Sequence, residues 1–413
     1  MASVDEQKEL VRRLCQKYPK SPWLPISQLQ KATSLDVPVR GSVWIAKSAF
    51  PVPGPAIRDV LYEVIDRLKN DYHRITPAKE TPVVDVGVEF AFSSPAQYRA
   101  SSTRLARLTG ARVASVAYRL APAHTFPAPI LDLPLAYASL LHPPTGAAYP
   151  AVPANKIVLA GNSAGANLAL GLVKVLLEMQ RLPGSAATFD FHGRPVTLPV
   201  PAGVAIVSGW CDQCDSLPSW HSKGETDILS VLQPACMPGH PTDDIWPASP
   251  PREVPYCHAA TLDHELVSPA AVEDWTGAPP MWFACGCEER GIDGNRVVAS
   301  QAAKAGVKVA WNEYDGMPHE FMIFVNALPQ SAHLFQLWAG ACRAFTDGNP
   351  GDEVRESSAV RWLMPDCQRV DLGNPVDLAP ISFKEVRRKM KEYNETRPVW
   401  TGDPQSRKLR ATL

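Results

Sequence analysis

From about residue 80 to 345 the chain alternates short β-branched runs with longer segments whose apolar residues recur every three to four positions. That alternation predicts a largely parallel sheet flanked by helices. The runs predicted as strands are Pro82–Phe92, Ala111–Tyr118, Lys156–Gly161, Ala202–Gly209, Met281–Cys285 and Val307–Tyr314. The helical patterns are Ala96–Leu108, Ala164–Leu182, Asn295–Ala305 and Ala332–Phe345. In the second of these Leu168, Leu170, Leu172, Val173, Val175, Leu176 and Leu177 leave few polar faces, so it is expected to be buried at the centre. Residues 1–75 read as mainly helical, with Asp59–Asn70 amphipathic, and form a candidate cap. Residues 76–349 are the expected core, and within them the irregular, Pro-, Cys-, Trp- and His-rich stretch 211–265 is a second cap candidate. Residues 350–413 read as a helical extension packed on that core, with a capping-box start at Ser382-Phe383-Lys384-Glu385.

Composition removes several function classes. Of 413 residues, 41 are Lys or Arg and 42 are Asp or Glu, so the formal charge of −1 carries no footprint for nucleic acid or anionic membranes. No stretch reaches the roughly 18 apolar residues that span a bilayer, and the charged N-terminus lacks the apolar core of a signal peptide. The nine cysteines read as reduced thiols of a cytoplasmic protein. Cys211-x-x-Cys214 with Cys236, Cys257 or His258 is a weak zinc pattern, because no second CxxC accompanies it. Neither a metal nor an organic cofactor is expected.

The chemistry enters at Gly161-Asn162-Ser163-Ala164-Gly165. This G-x-S-x-G follows the apolar run Ile157–Ala160 and opens the long central helix, the strand–turn–helix setting that holds a serine hydroxyl on a sharp bend. A serine needs a base, and the base needs an orienting carboxylate. His319, in the loop Asp315–Phe321 after the Val307–Tyr314 run, is the expected base. Glu289, after the preceding strand and four residues before Asp293, is the expected acid, with Glu288 as the rival.

Further segments carry a resemblance. Tyr118-Arg119-Leu120-Ala121-Pro122-Ala123-His124-Thr125-Phe126-Pro127, Gly161–Gly165, His264-Glu265-Leu266-Val267-Ser268-Pro269, Pro279-Pro280 and Gly316-x-x-His319-x-Phe321 together resemble hormone-sensitive-lipase-like α/β-hydrolases, with fungal members nearest. The resemblance implies an α/β-hydrolase fold, a doubly wound, mostly parallel sheet of about eight strands, and a helical cap from the N-terminus plus an insertion. It also implies hydrolysis of a small or medium organic ester through an acyl-enzyme. One block departs from that family, whose H-G-G-G or H-G-G-A oxyanion motif is replaced here by Val86-Gly87-Val88-Glu89. The expected oxyanion donors are therefore the backbone N–H groups of Ala164, Gly87 and Val88. An inward carboxylate at Glu89 would repel a developing oxyanion, and Asp85 adds a second acid nearby. Two alternatives stand beside ester hydrolysis. One is a tailoring enzyme performing cyclisation, elimination, carbon–carbon cleavage or acyl transfer on a natural-product intermediate. The other is a catalytically dead small-molecule receptor.

Overall fold

A computed structural model describes residues 4–17, 24–35, 55–75, 94–147, 149–183, 188–223, 227–231, 240–347 and 356–397. Three helices precede the core: α1 (Val4–Lys17), α2 (Ile26–Thr33) and α3 (Ala56–Leu68). Then come α4 (Arg99–Thr109), α5 (Ala128–Leu141), β1 (Val158–Asn162), α6 (Ser163–Gln180), the small antiparallel pair β2 (Phe189–Asp190) and β3 (Pro195–Val196), β4 (Gly203–Val207) and α7 (Pro218–Ser222). The second half contributes β5 (Met281–Gly286), α8 (Ile292–Lys304), β6 (Val309–Tyr314), α9 (Phe321–Phe324), α10 (Pro329–Thr346), β7 (Ser358–Leu363), β8 (Gln368–Gly373) and α11 (Phe383–Thr396).

Among the described residues the main sheet has six strands in the order β1-β4-β5-β6-β7-β8, parallel except for β8. Its central strands are buried on both faces, which explains why they read as continuous apolar runs instead of alternating ones. Val204, Ile206, Phe283 and Trp311 face a core built with α3, α5, α6 and α8. The intervening Ala205, Val207, Trp282 and Ala310 face a second core with α1, α4 and α10, where Trp338 stacks on Trp282 and donates its indole N–H to the Ala205 carbonyl at 3.1 Å. From Ser163 to Met179 nearly every residue of α6 is buried, in keeping with its apolar composition.

Three expectations differ from the structure or fall outside it. Pro82–Phe92 lies outside the described residues. Residues 111–118 join no ladder among the described residues, and Ala111–Ser115 are exposed. The stretch after residue 350 is not purely helical, because β7 extends the sheet parallel to β6 and β8 turns back on it. Ser382 does cap α11, its hydroxyl accepting the Glu385 N–H at 3.3 Å. No helix among the described residues is long and apolar enough to cross a membrane.

The Tyr118–Pro127 block has a structural role. Arg119 and Asp132, both buried, make a forked pair: Nη2 donates to Oδ1 at 2.7 Å, Nε donates to the same oxygen at 3.0 Å, and the Arg119 backbone N–H donates to Oδ2 at 2.8 Å. A second Nη2 bond reaches the Ala128 carbonyl at 3.1 Å, closing the turn into α5. Removing one partner strands a buried charge, a loss of about 3–5 kcal/mol. Asp132→Ala should therefore lower the unfolding free energy by about that much in urea titration, with an unchanged m-value.

Candidate active site

At the end of β1 the chain enters α6 through Ser163, whose φ of +49° is the left-handed region that side chains rarely adopt. Gly161 and Gly165 make this bend possible. A Cβ on Gly161 would lie 2.5 Å from the Gly165 carbonyl carbon and 2.7 Å from the Ala166 nitrogen, so strand and helix backbones touch. The bend leaves the Ser163 hydroxyl at the C-terminal end of a parallel strand, where open α/β sheets place their ligands. Ala164 is the second residue of α6 and fully buried. Its N–H lies in the first turn, where helix donors have no intrahelical partner.

Two loops deliver the other groups. After β5, Glu289 folds back so that one carboxylate oxygen accepts the Ser208 hydroxyl at 2.7 Å and the Gly286 N–H. After β6, the segment Asp315–Glu320 carries His319. The loops lie in backbone contact: a Cβ on Gly286 would sit 2.1 Å from the Met317 carbonyl oxygen, and the Glu288 N–H donates to that oxygen at 2.9 Å. The first helix also grips this segment, since Lys8 Nζ donates to Asp315 at 2.8 Å.

The structure brings Ser163, His319 and Glu289 together. His319 Nε2 lies 3.0 Å from Ser163 Oγ, and Nδ1 lies 3.3 Å from the second Glu289 oxygen. Relative exposures of 1%, 3% and 0% for Ser163, His319 and Glu289 place the whole chain of contacts out of water. Glu288 is half-buried, and it is Glu289 that meets the imidazole. Gly87 and Val88, with Asp85 and Glu89, lie outside the described residues. Among the described residues no cluster of three His, Cys, Asp or Glu side chains is placed to hold a metal ion; Cys236 lies outside them.

Five groups to which the sequence reading assigns no role complete the surroundings. Ser208, itself at φ +49°, donates to Glu289 and accepts the Glu320 N–H at 3.2 Å, joining the two loops. Glu320 is buried, its carboxylate taking the Asn162 side-chain amide on one oxygen and the Tyr98 hydroxyl at 3.3 Å on the other. Asp227, from the 211–265 stretch, accepts the His319 backbone N–H at 2.9 Å. A signal for Glu320 was its place next to His319; Ser208, Asn162, Tyr98 and Asp227 offered no pattern.

Burial strongly opposes charge on His319, but the Glu289 carboxylate bonded to it outweighs that penalty, and Glu320 and Asp227 add to it. The net effect lifts the imidazole above its ordinary value. Burial pushes Glu289 upward, opposed by the His319 and Ser208 hydrogen bonds. The arrangement is a hydroxyl, an imidazole of raised basicity and a shielded carboxylate in line, able to move one proton from oxygen to nitrogen without water.

The profile of the alpha/beta hydrolase fold family matches residues 87–323, more than half of the chain. The chain belongs to the alpha/beta hydrolase fold family. An acetyl-hydrolase of Streptomyces hygroscopicus is 28% identical over 256 residues, covering 62% of this hydrolase and 72% of the relative. An esterase of Acinetobacter venetianus is 28% identical over 247 residues, covering 59% and 68%. A hormone-sensitive lipase from a metagenome library superposes with a TM-score of 0.54 at 20% identity, covering 84% of this chain and 99% of that one, a likeness of fold. This α/β-hydrolase is an enzyme of a hydrolase family.

Because the obstacle at Gly161 is backbone, Gly161→Ala cannot be relieved by a side-chain rotation. It should destabilise by about 3 kcal/mol, the upper end for overpacking. A melting temperature within one degree of the parent would show that the bend is looser than described.

Proposed function

We propose that this α/β-hydrolase is a serine carboxylesterase, hormone-sensitive-lipase-like, that cleaves small or medium organic esters through an acyl-enzyme. The observation that carries the reading is the unbroken contact from Ser163 Oγ to His319 Nε2 and from Nδ1 to Glu289. In this reading His319 takes the hydroxyl proton as Ser163 attacks the ester carbonyl. Glu289 holds the ring with Nδ1–H toward itself and stabilises the imidazolium as it forms. The Ala164 N–H at the positive end of α6, with the backbone of Gly87 and Val88, receives the oxyanion. Collapse expels the alcohol, which takes the proton from His319. Water then attacks the acyl carbon as the same nitrogen takes its proton, and collapse breaks the bond to Ser163, whose oxygen recovers that proton from His319 as the acid leaves. The two relatives named acetyl-hydrolase and esterase support an ester substrate. The buried thiols Cys15, Cys211, Cys214, Cys257 and Cys285, none in a disulfide, suit a reducing compartment such as the cytoplasm.

The test is turnover of p-nitrophenyl acetate by purified protein. Ser163→Ala should abolish the burst and the steady-state rate; turnover that survives it sinks the acyl-enzyme. Glu289→Gln should lower kcat by about 10⁴-fold, as expected when the imidazole loses its orienting carboxylate, whereas Glu288→Gln should stay within a few-fold of the parent.

The pH profile follows from the raised imidazole. Protonated His319 cannot accept the serine proton, so kcat/KM must fall on the acid side. Because Glu289 stabilises the imidazolium, that fall should begin above the ordinary imidazole value of about 6.5 and persist to low pH. A midpoint at or below 6.5 in a kcat/KM titration would contradict the assigned pairing.

A further inference from the structure

Asp227 stands out among buried groups that the mechanism leaves unused. It is 2% exposed, lies in the insertion between β4 and β5, and opens a short 3₁₀ turn (Ile228–Val231). Its two oxygens reach two different catalytic loops. Oδ1 accepts the backbone N–H of His319 at 2.9 Å, and Oδ2 accepts that of Arg290, the residue after Glu289, at 2.8 Å. A carboxylate accepting several backbone N–H groups is a strong, directional anchor.

The insertion holds the Glu289 loop at further points. Ser219 donates its hydroxyl to the Arg290 carbonyl at 2.6 Å, Asp293 accepts the Ser219 N–H at 2.9 Å, and Arg290 Nε donates to the Trp220 carbonyl at 2.8 Å. Of these ties, Asp227 makes the one that also touches His319. The loop is itself buried from Gly316 to Glu320, the latter left-handed; the Ser208 hydroxyl takes the Glu320 N–H, and the Asp227 carboxylate takes the backbone N–H of His319 itself.

We propose that Asp227 is a positioning residue for the reaction: its carboxylate clamps the backbones beside His319 and Glu289, so that the insertion sets the aim of the base. The inference rests on the esterase reading of Ser163, His319 and Glu289. The charged and titratable groups facing the imidazole are Glu289 from the loop after β5, the Ser163 hydroxyl from the elbow, Glu320 from its own loop and Asp227 from the insertion. Asp227 in turn faces His319 and, from α1, Cys15. Removing its negative charge therefore destabilises the imidazolium, and removing an acceptor loosens the loop.

Asp227→Asn keeps the shape but turns one acceptor into a donor facing an N–H. Its kcat should fall about 10- to 100-fold with KM within about three-fold, the signature of a misaimed base rather than a lost pocket. The acid limb of kcat/KM should move about one pH unit lower. Ser219→Ala, which loosens the same insertion without reaching His319, should leave that limb in place. NMR titration of the His319 ring in parent and variant reads the same shift without turnover. If esters are not hydrolysed but the ring titrates lower in the variant, the esterase reading fails and the clamp stands. If turnover depends on Ser163 but neither limb nor ring titration moves in Asp227→Asn, the clamp fails alone. Should the variant not fold, the parent decides: a His319 amide that exchanges freely with solvent overturns the proposal, and one as protected as the β5 amides sustains it.

Discussion

A carboxylate wholly shut off from water is tolerable only where hydrogen bonds replace its hydration. Glu289 is such a group, and its acceptor positions are filled by Ser208, the Gly286 N–H and His319. Those three partners come from the end of β4, the end of β5 and the loop after β6. Satisfying one buried acid therefore fixes three strand ends relative to one another. Ser163 joins the set through the imidazole. Much of the site's geometry can be read as the solution to that single desolvation problem, and the same shielding gives the carboxylate its influence over the ring.

Close backbone approach is the second condition. Gly161 lets β1 and α6 meet at the elbow, and Gly286 lets the loops after β5 and β6 run against each other. At both places the obstacle to a side chain is main chain, which cannot rotate away. The glycines thus set the distances, and the polar side chains fill a frame whose dimensions are already decided.

The meeting of Ser163, His319 and the Glu288–Glu289 pair was legible because each sits where a strong periodic pattern ends: Ser163 after an apolar run, the others after two more. The sequence favours Glu289 over Glu288 only through its place four residues before Asp293; which of two adjacent side chains on a tight loop meets the imidazole is seen in the contact itself. The central strands and α6, α8 and α10 were readable for the same reason, being apolar and long. The β7–β8 hairpin was not. Its second strand, Gln-Arg-Val-Asp-Leu-Gly, is largely exposed at the edge of the sheet and carries little apolar alternation. The Pro365-Asp366 pair between its strands was the one available turn signal. Ser208 and Asp227 escaped because their importance lies in what they touch across long stretches of chain.

Sequence separation gives the Lys8–Asp315 contact a wider meaning. It closes 307 residues of chain, the His319–Asp227 bond closes 92, and the His319–Ser163 pair closes 156. Contacts of such span form late, since loop closure is entropically costly before the surrounding structure rewards it. The elbow, by contrast, is local and can form with β1 and α6. A nascent or partly unfolded chain would thus hold a shaped serine with no imidazole beside it. The line of contacts from Ser163 through His319 to Glu289 is thus completed only with the last long-range closures.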